Sequence, residues 1–324
     1  MRFSRAVFFA VTLIMVAVVA SQFEIVGRNA VALDDQATAA GVDVLSVTAD
    51  LVVPQMEQAK PAAGKRVRQT LPSYQNTEVY HSLYLPKKWH SKKSSESTSK
   101  LPVIVEFAGN GPYKNDFGDI STGKVEHSKL GFGISAGEGF IWICMPLLNA
   151  EGTKNVTRWW GDATDYDPRP TVEYCQKTVR WVCEQYGGDL DRILLTGFSR
   201  GAIACNYIGL HDEKIASLWR AMVVYSHYDG VVKWGHPFSD RASAVKRLRR
   251  LGTCPQFICH ENTSDRKTGL EQTRAFLDES GVTGDFTFYL TGFRNHNDTW
   301  VLRPSEARRA MRAWLRPYFI KSTD

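Results

Sequence analysis

The chain lacks the spacings that would mark it as a metalloprotein, a nucleic-acid binder or a repeat protein. Its six cysteines include no Cys-x-x-Cys pair and join no His/Cys cluster of ligand spacing, so a metal site is not expected. Charge of one sign is scarce. The formal net charge of +6 falls to +4 once the first twenty residues, which carry two arginines and no acids, are set aside. The basic clusters are Lys87-Lys88, Lys92-Lys93, Lys246-Arg247 with Arg249-Arg250, and Arg308-Arg309 with Arg312. They fall in a linker and on polar faces of predicted helices, and read as solvated surface rather than a polyanion site. Nothing resembles a nucleic-acid module, and no internal repeat is visible. Long hydrophobic runs are limited to residues 6–20, which follow Arg2 and Arg5 and end in Val18-Val19-Ala20-Ser21. That arrangement reads as a cleavable export signal over 1–20, predicting a secreted or periplasmic protein. The run is too short to favour a spanning helix, an uncleaved anchor being the alternative. No cysteine follows the cleavage point to carry a lipid.

Two local disulfides are excluded by reach. Cys254 and Cys259 lie at the ends of a predicted strand, roughly 16 Å apart at ~3.3 Å per residue. Cys175 and Cys183 share a predicted helix, which separates them by about 12 Å. Any bridge must join different elements, and Cys144 and Cys205 read as buried apolar thiols.

What is present is ordinary globular material: 324 residues, 43% hydrophobic and 23% charged, enough for one large core. Residues 21–70 show no clear period and read as a poorly defined N-terminal extension, leaving 71–324 as the folded domain. Residues 77–85 alternate as a strand, and 87–100 form a Ser/Lys loop. Apolar strands are predicted at 101–107, 140–146, 193–195, 221–225, 256–259 and 286–290. Helices are predicted at 171–186, 202–210, 240–251, 269–277 and 305–315. Short, nearly continuous apolar strands alternating with helices predict an α/β fold, a mostly parallel central sheet covered by helices on both faces.

The most informative run is Ile193-Leu194-Leu195-Thr196-Gly197-Phe198-Ser199-Arg200-Gly201-Ala202. It reads as a buried strand turning sharply into a helix, with Ser199 at the bend as a nucleophile. Gly197 and Gly201 leave room where a Cβ would meet a neighbouring segment. The new helix turns its unpaired N–H groups toward the serine, so the Arg200 amide can donate to an oxyanion.

This order of elements, with a serine elbow mid-chain and a histidine near the end, resembles the α/β-hydrolase fold from about residue 77 to 319. Gly187-Gly188-Asp189-Leu190-Asp191-Arg192 leading into the elbow is most similar to exported esterases related to polyhydroxybutyrate depolymerases and to feruloyl or acetylxylan esterases. The resemblance implies a serine hydrolase that cleaves carboxylic esters through an acyl-enzyme, needs no metal or organic cofactor, and takes its acid and then its base after the serine in chain order. Acylated polysaccharide and polyester fragments are the substrates it suggests. A serine peptidase of the same fold and a catalytically silent binding protein are the alternatives.

His296, in the polar loop between the last strand and the last helix and the only histidine after His260, is the expected base. Asp265 follows the 256–259 strand and is the expected acid, with Asp229 after the preceding strand as the alternative; a helix cap is the competing role for Asp265. A second oxyanion donor is expected from the glycine-rich loop Ala108-Gly109-Asn110-Gly111, at Ala108, Gly109 or Asn110, with a plain turn as the competing reading. Trp159-Trp160 lies in an Asp-rich segment and could wall a sugar ring or an aromatic acyl group, with core packing the competing role.

Overall fold

A computed structural model describes residues 41–90, 100–262 and 268–320. The expected export signal, residues 1–20, lies outside the described residues. Nine strands form one sheet: β1 (Met56–Glu57), β2 (Arg66–Gln69), β3 (His81–Tyr84), β4 (Leu101–Phe107), β5 (Ile141–Met145), β6 (Gly188–Phe198), β7 (Ala221–Tyr225), β8 (Gln256–His260) and β9 (Phe286–Leu290). Their spatial order is β1-β2-β3-β5-β4-β6-β7-β8-β9. Only β3 runs against its neighbours β2 and β5; the rest of the sheet is parallel.

The parallel centre follows from composition. β4, β5, β7 and β8 are almost wholly buried, as strands covered on both faces must be. Side chains alternate: Val103, Val105 and Phe107 enter one core and Ile104 enters the other. On the first face lie α2 (Arg169–Tyr186), α3 (Arg200–Tyr207), α5 (Arg241–Leu248) and α6 (Leu270–Ser280), burying Val179, Ile203, Leu248 and Phe276. On the second lie α1 (Leu130–Ser135) and α7 (Glu306–Phe319), burying Leu130, Met311 and Leu315. Each such side chain is worth about 1.5–3 kcal/mol of transfer free energy. The short α4 (Glu213–Ala216) bridges toward β7.

Two expectations change here. Residues 41–70, for which no periodicity was found, are tied into the sheet: β1 and β2 extend its edge, Val44 is fully buried, and Val42 pairs with Phe293. Nor is Arg308 solvated, since its guanidinium binds both Asp50 carboxylate oxygens, at 2.6 and 2.5 Å. All six cysteines are buried and unbridged. Among the described residues no helix is long and apolar enough to cross a membrane.

Candidate active site

The carboxyl edge of the parallel strands gathers the polar groups, as open α/β sheets do. Ser199 follows β6, Ser226 follows β7, Glu261 follows β8, and His296 comes from the loop after β9. Ser199 adopts φ 55° and ψ −116°, a strained conformation outside the usual regions for a side chain. Its amide donates to the Tyr225 carbonyl at 3.0 Å, which fixes the bend against β7. Both flanking glycines are required sterically. A Cβ on Gly197 would lie 2.1 Å from the Gly201 carbonyl oxygen, and one on Gly201 would lie 2.0 Å from the Phe107 carbonyl oxygen.

Ser199 Oγ is 3.0 Å from His296 Nε2. On the far side of the ring, Nδ1 lies 2.7 Å from Glu261 Oε1. Ser226, at φ 84°, donates its hydroxyl to the same carboxylate oxygen at 3.1 Å and sits 2.8 Å from His296 Nδ1. Serine, imidazole and carboxylate thus form one hydrogen-bonded line. Burial pushes the Glu261 carboxyl up, but the His260 and His296 rings and the bond from His296 outweigh it, holding the group well below the usual carboxylate range. His227 packs 5.1 Å from the His296 ring, centroid to centroid. Burial, aided by His296, pushes its imidazole down to about 4, so it is neutral near pH 7.

Among the described residues the carboxylate at His296 Nδ1 is that of Glu261. Asp265 lies outside the described residues, and Glu261, four residues earlier, makes the contact with His296. β8 runs on to His260, so the next residue emerges at the sheet edge facing the His296 loop. α6 begins at Leu270 with Gly269 as its cap. The signal for Glu261 was its place directly after an apolar strand. Asp229, the alternative, is bound bidentately by Arg247, with Nε to Oδ2 at 2.8 Å and Nη2 to Oδ1 at 3.0 Å. Burial pushes its carboxyl up to about 6 against the pull of Arg247. The pair is structural and Arg247 is buried, so that basic cluster is not wholly solvated surface either.

The loop after β4 is wedged beside the elbow. A Cβ on Gly109 would meet the Phe198 ring at 2.7 Å, and one on Gly111 would overlap the backbone of Thr122 at 1.9 Å. The Gly111 amide is spent on the Thr157 carbonyl at 2.8 Å, whereas the amides of Gly109 and Asn110 find no acceptor among the described residues. Arg200, 2% exposed, extends its side chain under this loop. Its Nη2 donates to the carbonyls of Gly109 at 2.8 Å and Ala108 at 3.3 Å.

A cavity of about 560 Å³ opens over Ser199 and His296. Trp159, Trp234, Tyr113 and Phe117 supply aromatic walls; Asn110, Asp116 and Arg294 supply polar ones. Of the two adjacent tryptophans, the structure brings only Trp159 to the cavity. Trp160 is fully buried beneath it, edge to face with Trp159 at 5.5 Å and stacked on Tyr207, ring centroids 4.3 Å apart. Trp234 lines the cavity beside Trp159. It packs on His227 and Trp159, with centroids 5.6 and 5.7 Å away. Among the described residues no cluster could hold a metal ion.

No family model matches the chain, and no curated protein matches it in sequence. Solved structures do match. The chain is similar to fungal esterases from Rhizomucor miehei (TM-score 0.50, 12% identity), with 80% of this chain and 85% of that one covered. It is similar to the isopeptidase AtxE2 (TM-score 0.50, 14% identity, 80% of this chain and 41% of that one). A thermostable esterase aligns with a TM-score of 0.46 and 16% identity over 76% of this chain and 61% of that one. The chain therefore spans less than two thirds of the length of the isopeptidase and the thermostable esterase. With the strand order, the serine elbow and the two alignments at a TM-score of 0.50 together, the chain has the α/β-hydrolase fold.

Proposed function

We propose that the protein is a serine hydrolase acting on carboxylic esters, with Ser199 as nucleophile, His296 as base and Glu261 as the acid. The carrying observation is the unbroken line from Ser199 Oγ through His296 to Glu261 Oε1, at 3.0 and 2.7 Å, beneath an open cavity. Ser199 Oγ attacks the ester carbonyl carbon while His296 Nε2 takes its proton. The carbonyl oxygen becomes an oxyanion, received by the amide of Arg200 and those of Gly109 and Asn110. His296 then protonates the departing alkoxide, leaving Ser199 acylated. Water, deprotonated by the same imidazole, attacks the acyl carbon; the carboxylic acid leaves and Ser199 recovers its proton. Glu261 accepts from Nδ1–H throughout, which keeps Nε2 free as the base and stabilises the imidazolium.

The aromatic walls with interspersed amide, carboxylate and guanidinium groups suit an ester carrying a ring and polar substituents. Acylated sugars and short hydroxyalkanoate oligomers are the substrates to compare first. Export through residues 1–20 belongs to the same reading, and is tested by sequencing the N-terminus of protein recovered outside the cytoplasm. The activity is tested by hydrolysis of nitrophenyl acetate and by labelling with a fluorophosphonate. Turnover and label should both disappear in Ser199→Ala. A wild-type protein that neither turns over the ester nor takes the label would leave a binding protein as the better reading.

A further inference from the structure

Among the described residues Arg200 is a buried cation with no carboxylate partner. Its Nε and Nη1 have no hydrogen-bond acceptor there, and Nη2 alone is engaged, on the carbonyls of Ala108 and Gly109. Burying a guanidinium without an ion pair is costly, and here burial pushes its pKa down to about 9. Those two carbonyls belong to the loop in which the Gly109 and Asn110 amides have no acceptor among the described residues. In a planar trans peptide the C=O and N–H point in opposite directions. Holding the Ala108 carbonyl toward Arg200 turns the Gly109 N–H the other way, and holding the Gly109 carbonyl does the same for the Asn110 N–H.

We propose that the Arg200 side chain is a positioning residue for the oxyanion site, fixing the peptide planes 108–109 and 109–110 so that their amides face the reacting carbonyl oxygen. This rests on the serine-hydrolase reading and adds a second task for one residue. The Arg200 backbone supplies one donor directly, while its side chain orients the donors opposite. Glycine at 109 makes the loop compliant as well as close to Phe198, so the planes need an external hold. Because no carboxylate neutralises the guanidinium, its charge also favours a negative oxygen nearby. A neutral amide could grip the same carbonyls without that benefit.

The test uses the full chain and the variants Arg200→Met, Arg200→Gln and Arg200→Lys, all of which keep the backbone amide. Active sites are counted by fluorophosphonate titration so that kcat refers to competent enzyme. Arg200→Met should lower kcat on nitrophenyl acetate by about 10²–10³, the scale of losing one oxyanion donor, with KM changed less than about threefold. The dependence of kcat/KM on pH should keep its shape, because Ser199, His296 and Glu261 are untouched. Arg200→Lys keeps the charge but has one small head for two carbonyls, and should fall by tenfold or more. Should the apolar variant fail to fold, the Lys and Gln variants decide by the same measurement. Variants that lose only melting temperature or titratable sites, with kcat per site within about threefold of wild type, would overturn the proposal. Failure of the wild type to hydrolyse or take the label would instead remove the serine-hydrolase reading beneath it.

Discussion

Replacing Glu261 with glutamine tests the histidine's partner most directly. In the native site Oε1 accepts from His296 Nδ1 at 2.7 Å and from the Ser226 hydroxyl at 3.1 Å. Glutamine has nearly the same shape but one of its two terminal atoms is a donor. If its NH₂ faces Nδ1, His296 must carry its proton on Nε2, and the nitrogen facing Ser199 is no longer a base. If its oxygen faces Nδ1, the tautomer survives but the imidazolium loses its counter-charge. The equivalent Asp→Asn change in a serine protease costs about ten-thousandfold in kcat, or ~5.4 kcal/mol at 1.36 kcal/mol per decade. Glu261→Gln should approach that loss on nitrophenyl acetate while Asp265→Asn keeps most of its kcat, both expressed per fluorophosphonate-titrated site. The change should also show in stability. Glu261 in the folded protein titrates below its ordinary value of 4.5, so its ionised form contributes stability above about pH 4.5 that is lost as pH falls. Melting of the Gln variant should therefore be less sensitive to acid. Glu261→Gln with kcat within tenfold of wild type, beside an inactive Asp265→Asn, would refute the reasoning and return the acid to Asp265.

The two tryptophans should separate: Trp160→Ala, which empties a fully buried site stacked on Tyr207, should cost about 3–5 kcal/mol in denaturant unfolding, whereas Trp159→Ala should leave unfolding nearly unchanged and raise KM for ring-bearing esters. Asp229→Asn strands the buried Arg247 and should destabilise by about 3–5 kcal/mol, with kcat per titrated site close to wild type. For the pH profile, His227 titrates near 4, so above about pH 5 the rise of kcat/KM should follow one group and vanish in His296→Ala. Glu106→Gln places an NH₂ among the donors Leu130 N, Gly131 N and Trp142 Nε1 and should lower stability by about 1–3 kcal/mol, read by thermal melting.

How much of this was legible depended on whether a segment's own composition matched its surroundings. β4, β7 and β9 occupy the spans that their apolar runs predict; β4 and β7 are buried on both faces, which leaves little room for polar residues, and β9 is a half-buried edge. The elbow was legible for a steric reason: only glycine satisfies positions 197 and 201. β2 was not, since Arg66-Val67-Arg68-Gln69 looks nothing like a strand in a core sheet. Its arginines are accommodated individually, Arg66 lying 4.3 Å over the Trp142 ring and donating to Ser82, Val125 and Glu126. α1 was hidden by its own glycines. Leu130-Gly131-Phe132-Gly133 has poor helix propensity, yet a Cβ at 131 or 133 would strike Trp142 or Val301 at 2.2 Å. Tertiary fit chose glycine there at the expense of local preference.

The choice between the two acids turns on the same kind of fit. Order along the chain places an acid after β8, and both Glu261 and Asp265 satisfy order. Distance from the strand end separates them, because the His296 loop approaches β8 where β9 is paired with it, His260 opposite Leu290. A carboxylate one residue beyond that pair meets the imidazole with the strand itself as its support. The same economy governs the opposite side of Ser199, where Arg200 follows the nucleophile directly and reaches the carbonyls of the β4 loop. Gly109, Arg200 and Glu261 each follow a strand end, at Phe107, Phe198 and His260, by no more than two residues. Groups so placed move with the sheet, which keeps steady the hydrogen bond that sets the tautomer of His296.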